Sequence, residues 1–133
     1  MNISYNWLKD LVDFDLTVDE LAVKLTGVGL AVEGVHAHVD DSIFDLDVTS
    51  DRPDCLSHLG VAREIAAIIK GKTRPVGTLP DTNASPQDLV TIADPDLCHR
   101  FTARVIRNVK VGPSPEWLSK RLESLGERGA ANQ

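Results

Sequence analysis

The sequence predicts an α+β fold, and three observations carry that reading. Residues 44–48 alternate, with Phe44, Leu46 and Val48 apolar and Asp45 and Asp47 acidic, as in a strand with one buried face. Beyond a polar turn, Cys55, Leu59, Ala62, Ile65, Ala66 and Ile69 recur at helical spacing. Upstream, Thr17-Val18-Asp19-Glu20 has the reciprocal pattern of a capping box, in which the threonine hydroxyl and the glutamate each satisfy a backbone N–H.

In chain order, the first helix is expected over residues 5–12. Trp7, Leu8, Leu11 and Val12 form a narrow apolar stripe there, and Asp13-Phe14-Asp15 breaks it. The second helix starts at the Thr17 cap and buries Val18, Leu21, Ala22 and Leu25. Gly27 and Gly29 then supply positions where positive φ costs little, so the helix ends and the chain turns back. Residues 30–35 read as a short strand and 43–49 as its antiparallel partner, with 36–42 as a hairpin-length loop. In Ser50-Asp51-Arg52-Pro53-Asp54, Pro53 fixes its own φ and drives Arg52 toward an extended conformation. Asp54 is the expected N-cap of a long helix over 55–69, with Asp51 also near the positive end of its dipole. Lys70, Gly71 and Lys72 suit its other end.

Residues 73–88 hold Pro75, Gly77, Pro80, Asn83, Ser85 and Pro86 with few apolar residues, and read as a linker. They divide the chain into a unit over 1–72 and a unit over 89–133. In the second, 89–93 reads as a short strand. Phe101, Ala103, Val105, Val109 and Val111 alternate, interrupted by Arg107, as a longer strand with one buried face. Ser114 and Pro115 open a helix as cap and first residue, Trp117, Leu118, Leu122 and Leu125 face inward, and Gly126 ends it. Residues 127–133 have no apolar face and are expected to fray. Two strands and a helix are marginal alone, so 89–133 is expected to pack on the first unit, pair with another chain or stay poorly ordered.

Composition narrows the function classes. A chain of 133 residues, 42% hydrophobic and 26% charged, is not wholesale disordered. No apolar run approaches the roughly 20 residues that span a bilayer. Met1-Asn2-Ile3-Ser4 has neither the basic segment nor the apolar region of a secretory signal. Cys55 and Cys98 make no disulfide framework, so a reduced, cytoplasmic protein is expected. Residues 1–54 carry twelve acids against three bases, and residues 55–133 eight acids against eleven bases. The first half therefore repels phosphate backbones. The second tolerates RNA, with too small an excess for a dedicated nucleic-acid binder.

Few residues suggest chemistry. His36 and His38, Cys55 and His58, and Cys98 and His99 are close in sequence, but there are no paired CxxC knuckles and no HExxH helix. Cys55 reads as a small buried residue and His58 as a surface one. Ser57 beside His58, and Cys98 beside His99, lack the third group that makes a nucleophile and base productive. Asp45 and Asp47 share a strand face and read as solvated. Gly27-Val28-Gly29 follows a helix, not the strand a phosphate loop requires. No catalytic, cofactor-binding or metal residue is therefore assigned. Arg52 is the one candidate for a specific polar role, among Asp51, Asp54 and Asp47. It makes either a subunit or RNA contact or a structural ion pair holding the turn, and the structural reading is favoured. Arg104 and Lys110 form a small outward basic face, read as solvated.

One resemblance is specific. Thr49-Ser50-Asp51-Arg52-Pro53-Asp54-Cys55-Leu56-Ser57, followed by Gly60-Val61-Ala62-Arg63-Glu64, is similar to a motif of the bacterial phenylalanyl-tRNA synthetase beta subunit. Ser4-Tyr5-Asn6-Trp7-Leu8-Lys9 through Leu30-Ala31-Val32-Glu33-Gly34-Val35 resembles that subunit's N-terminus. Phe101-Thr102-Ala103-Arg104-Val105-Ile106 and Gly112-Pro113-Ser114-Pro115-Glu116-Trp117-Leu118 resemble the opening of its editing module. The resemblance implies a helical, winged-helix-like first module with a hairpin and a long helix, then an incomplete start of the editing (B3/B4-type) module. Two departures matter. The family's OB-fold insert between Val35 and Phe44 is missing, and the family continues well past Gln133. An N-terminal fragment, a truncated relative or a trimmed chain is the expectation.

In that family the parent enzyme joins phenylalanine to its tRNA with ATP and magnesium, as two alpha and two beta subunits, the synthetic site being on alpha. The resemblance thus implies the alpha subunit, the rest of beta and tRNA as partners. For this chain it implies a noncatalytic scaffold portion of the ligase beta subunit with no cofactor of its own. An autonomous RNA- or protein-binding module is the alternative, and a hydrolase using Cys98 or His58 ranks far below.

Overall fold

The first strand starts at the N-terminus itself. In a computed structural model, which describes residues 1–75, 77, 90–103 and 106–127, strand β1 (Asn2–Ser4) leads directly into helix α1 (Tyr5–Leu11). Helix α2 (Val18–Gly27), strands β2 (Ala31–His38) and β3 (Asp41–Asp47), a 3-10 turn (Pro53–Cys55), helix α3 (His58–Ile68) and helix α4 (Glu116–Ser124) follow. The three strands form an antiparallel sheet in the order β1-β3-β2. The predicted α+β class is what is observed.

Three residues are too few for a periodicity to show, so β1 was not legible in the sequence. It is held by its ends. The Met1 α-amino group bonds to Asp45 Oδ1 (3.0 Å) and the Leu46 carbonyl (2.6 Å), and Ile3 lies opposite Phe44. Ser4 then caps α1, its Oγ accepting from the Trp7 N–H (3.0 Å) and donating to Asp41 Oδ2 (2.5 Å). Asp41 Oδ1 accepts from the Asn6 N–H (3.0 Å), so a β3 carboxylate sits at the positive end of α1. In α2 the capping box is complete: the Glu20 N–H donates to Thr17 Oγ1 (3.3 Å) and the Thr17 N–H to Glu20 Oε2 (2.8 Å). Those bonds hold the Glu20 carboxyl below its ordinary range. Leu21 and Leu25 are fully buried. Gly27 remains helical, and Gly29 (φ 90°) makes the turn.

The hairpin loop is shorter than the expected 36–42. His36 pairs with Ile43 and His38 with Asp41, so only Val39 and Asp40 connect the strands. Backbone pairing carries the strands to the tightest turn the chain allows, and Val39 is left at φ 43° with its side chain 92% exposed. A β-branched residue there is strained by about 1–2 kcal/mol. Val39→Asn, which tolerates this conformation, is expected to stabilise the fold by about 1 kcal/mol, because the exposed valine has no packing to lose. The check is the urea midpoint; a midpoint at or below the parent's would contradict the left-handed turn.

The start of the long helix also differs. Pro53 opens the separate 3-10 turn, and Ser57 rather than Asp54 caps α3, its Oγ accepting from the Gly60 N–H (3.1 Å). Arg52 has φ −115° and ψ 51°, short of the extended region. At the far end Lys70 (φ 56°), not Gly71, takes the left-handed position. The Gly71 N–H reaches the Ala66 carbonyl (2.8 Å) and the Lys70 N–H the Ala67 carbonyl (3.2 Å), a Schellman closure.

The core lies between one face of the sheet and the helices. Ile3, Leu8, Leu21, Leu25, Leu30, Phe44, Leu46, Val61 and Ile65 are all at most 1% exposed. Thr73 bridges Val12, and the Arg74 N–H donates to the Leu11 carbonyl (2.6 Å), tying the chain after α3 to the end of α1. Most of the expected linker, together with Leu89, Arg104, Val105 and the last six residues, lies outside the described residues.

The second unit departs most from expectation. No strand forms over the described residues of 89–93 or 101–111. Asn108 sits at φ 58°, which breaks an extended run, and a strand needs a ladder partner to satisfy its backbone. Phe101, Val109 and Val111 are exposed in consequence. Pro115 rather than Ser114 is at the N-cap of α4, and Trp117 is exposed instead of facing inward. Gly126 (φ 81°) ends that helix as expected. The Asn2 side-chain amide donates to the Leu125 carbonyl (3.0 Å), joining the end of α4 to β1.

Candidate functional site

Two polar constellations stand out among the described residues, one around Arg52 and one around His58. Arg52 leaves the turn before Pro53 and forks onto Asp54, with Nε to Oδ1 at 3.1 Å and Nη2 to Oδ2 at 3.0 Å. Nη2 also reaches Glu64 Oε1 of α3 (2.9 Å) and Cys55 Sγ (3.1 Å). One guanidinium thus joins the 3-10 turn to the second turn of the helix, a planar bidentate geometry lysine cannot reproduce. The bond to Arg52 holds the Asp54 carboxyl down at about 2, and the same bond raises Arg52 above its already high ordinary value. Of the acids expected around Arg52, Asp54 is a direct partner. Glu64 was not foreseen, because twelve residues separate it from Arg52 and no periodicity links a turn to a helix face.

Asp54, Cys55 and Glu64 are also the one group among the described residues whose donor atoms lie close enough to hold a metal ion. The Arg52 guanidinium already supplies the positive charge there. Burial, then the bond to Asp54, pushes the Cys55 thiol up to about 11, so the sulfur is a protonated donor rather than a thiolate ligand. The ATP and magnesium that the family resemblance implies for the parent enzyme do not fit these residues. The group lacks a free oxygen-rich face, and Gly27 to Gly29 close a helix instead of cradling phosphates.

His58, read from sequence as a surface residue, is engaged on three sides. Its Nε2 accepts the Ser4 backbone N–H (2.9 Å). Its ring stacks on Trp7 with centroids 4.1 Å apart and planes 25° apart. Arg121 of α4 lies close enough to oppose a second positive charge. Burial first, then Arg121, draws the imidazole down to about 4 against the opposing pull of Asp41. The ring is therefore neutral at pH 7, with the proton on Nδ1 and Nε2 free to accept. Cys55 and His58 do not act as a pair, because each is committed to a different partner set. Cys98 contacts the Arg100 carbonyl (3.7 Å) and His99 Nδ1 the Pro95 carbonyl (2.9 Å), which orients neither toward a nucleophile–base geometry. Asp45 is taken by the Met1 amine, and Arg104 lies outside the described residues.

Comparison with known proteins settles the family. A beta subunit of phenylalanine–tRNA ligase from Rhodopirellula baltica is 44% identical over 129 residues, covering 95% of this chain. This chain is a homologue of the bacterial phenylalanine–tRNA ligase beta subunit. The corresponding subunit of Syntrophus aciditrophicus is 47% identical over 95 residues, 69% of the chain. That of Carboxydothermus hydrogenoformans is 45% identical over 106 residues, 79% of the chain. The chain spans 19%, 12% and 13% of these three beta subunits respectively. No family model and no solved structure matches.

The Rhodopirellula match bears on the missing insert. It runs 129 positions while covering 95% of the chain, so it crosses the β2–β3 turn with no room for an added domain. At least one beta subunit of this family therefore has a connection of about the same length at this position.

Proposed function

We propose that this homologue of the ligase beta subunit acts as a noncatalytic scaffold portion of the phenylalanine–tRNA ligase, working with the alpha subunit, the rest of beta and tRNA. Its 1–72 unit presents α3, and 89–133 is the beginning of an editing module that the first unit positions. The observation that carries this reading is that Cys55 is committed to Asp54 and Arg52 and His58 to Ser4 and Trp7, while Cys98 and His99 contact the backbone carbonyls of Arg100 and Pro95. In the parent enzyme ATP and magnesium serve the synthetic step on the alpha subunit, outside this chain. No helix among the described residues is long and apolar enough to cross a membrane, and nothing in the reading calls for one.

The deciding experiment is a fluorescence-anisotropy titration of the chain with phenylalanine tRNA across salt concentrations, with an unrelated tRNA as competitor. The scaffold reading expects no binding, or weak binding that any tRNA displaces, because the acidic first half repels phosphate. Saturable binding that survives the competitor overturns it in favour of the autonomous RNA-binding module.

Arg52 is assigned in this reading to holding the turn. Arg52→Lys keeps the charge and loses the fork, so the urea midpoint is expected to fall. Combining it with Glu64→Gln should cost less than the two changes summed, since both cut one network. Strict additivity would remove the structural role.

A further inference from the structure

Helix α4 has no fully buried residue, yet polar contacts tie it to the first unit. The Arg121 guanidinium lies 5.0 Å from the Trp7 ring centroid and 5.7 Å from that of Trp117, and it pairs with Asp10 of α1. The bond from Asn2 to the Leu125 carbonyl holds the end of the same helix. Trp7 is therefore shared. His58 of α3 stacks on it, and Arg121 of α4 makes a cation–π contact with it.

We propose that Trp7, His58 and Arg121 form a proton-operated latch, closed while His58 is neutral and opened by its protonation, which releases α4 from the first unit. The chemistry follows from the contacts. A protonated Nε2 is a donor and can no longer accept the Ser4 N–H, so the ring loses the bond that sets its orientation. The imidazolium also places a second positive charge beside Arg121. Around His58, Asp41 of β3 favours the proton and Arg121 of α4 opposes it. Asp10 of α1 is paired with Arg121. Ser4 and Trp7 contribute only a backbone N–H and an uncharged ring. Burial and Arg121 together outweigh Asp41, so the latch is closed at neutral pH and opens in acid. Nothing in this inference depends on the scaffold reading, because every residue in it belongs to this chain.

Reciprocity supplies a second handle. If protonating His58 loosens Arg121, then removing Arg121 must make His58 easier to protonate. The test is amide hydrogen exchange of the full chain at pH values from 7 to 3.5, with an NMR titration of His58 in the parent and in Arg121→Gln. The expected result is a loss of protection in α4 of about tenfold or more across the His58 midpoint, while α2 and β3 stay protected. The His58 midpoint should also rise in Arg121→Gln. Protection of α4 that is constant through the midpoint, or lost only together with the core, overturns the latch. An unchanged His58 midpoint in Arg121→Gln overturns it too. Arg121→Met, which removes the charge and keeps an apolar stem against Trp7, gives the same readout should Arg121→Gln fold poorly.

Discussion

Gly60→Ala is expected to destabilise the fold by about 3 kcal/mol or more. Gly60 lies in the first turn of α3, where a methyl group usually helps a helix. Here a Cβ would overlap the Asp54 carbonyl oxygen outright and sit 3.0 Å from the Cys55 Cα. Both obstacles are backbone, so no side-chain rotation relieves the clash. Either the 3-10 turn moves, carrying buried Cys55 out of the core and Arg52 off Glu64, or the start of α3 unwinds. Gly27→Ala is the matched contrast, because a methyl group there would meet no atom within 4 Å and the residue is helical. That change should stabilise by up to about 1 kcal/mol. Urea denaturation of both variants, with slopes equal to the parent's, checks the pair. A Gly60→Ala midpoint within error of the parent's would rule out the close approach.

Local signals in the sequence identified what short-range physics decides. The capping box at Thr17 and Glu20, the antiparallel partnership of β2 and β3, and the apolar face of Ile65 and Ala66 all emerge from spacing within a few residues. What failed depended on partners distant in sequence. Strand β1 exists because β3 offers it an edge and the Met1 amine finds Asp45. Asp54 looked like the helix cap, yet its backbone packs against Gly60 and its carboxylate serves Arg52, which leaves the cap to Ser57. His58 looked solvated because nothing near it in sequence announces Ser4 or Trp7. In 101–111 the alternation is real, but alternation states only that a face wants burial. Among the described residues no strand lies beside it, so Val109 and Val111 stay exposed. The Arg52 constellation was half legible. Asp54 lies two residues away, whereas Glu64 is brought in by the fold.

Lowering the pH from 7 to 4 is expected to remove about 2 kcal/mol of stability through His58 alone. The imidazole titrates at about 4 in the folded chain against an ordinary 6.5, so between those values the unfolded state binds the extra proton. Stability therefore rises with pH through this window and is lost as pH falls through it. The full interval corresponds to about 3.4 kcal/mol at 1.36 kcal/mol per pH unit, and solvent screening of the partly exposed ring reduces it. Asp54 acts in a lower window. Its folded value near 2 lies below the ordinary 3.8, so its contribution is lost only as pH falls through that acid range. His58→Phe separates the two. It keeps an aromatic ring against Trp7 and leaves the Ser4 N–H without its acceptor, which costs about 1–3 kcal/mol at pH 7. The variant has no imidazole to protonate, so its stability should change little between pH 6.5 and 4, and the two curves should converge as the parent weakens. Urea midpoints at half-unit pH steps would show this. Parallel curves across the window would mean that His58 is not the group that titrates, and that the Ser4 bond is not what the proton breaks.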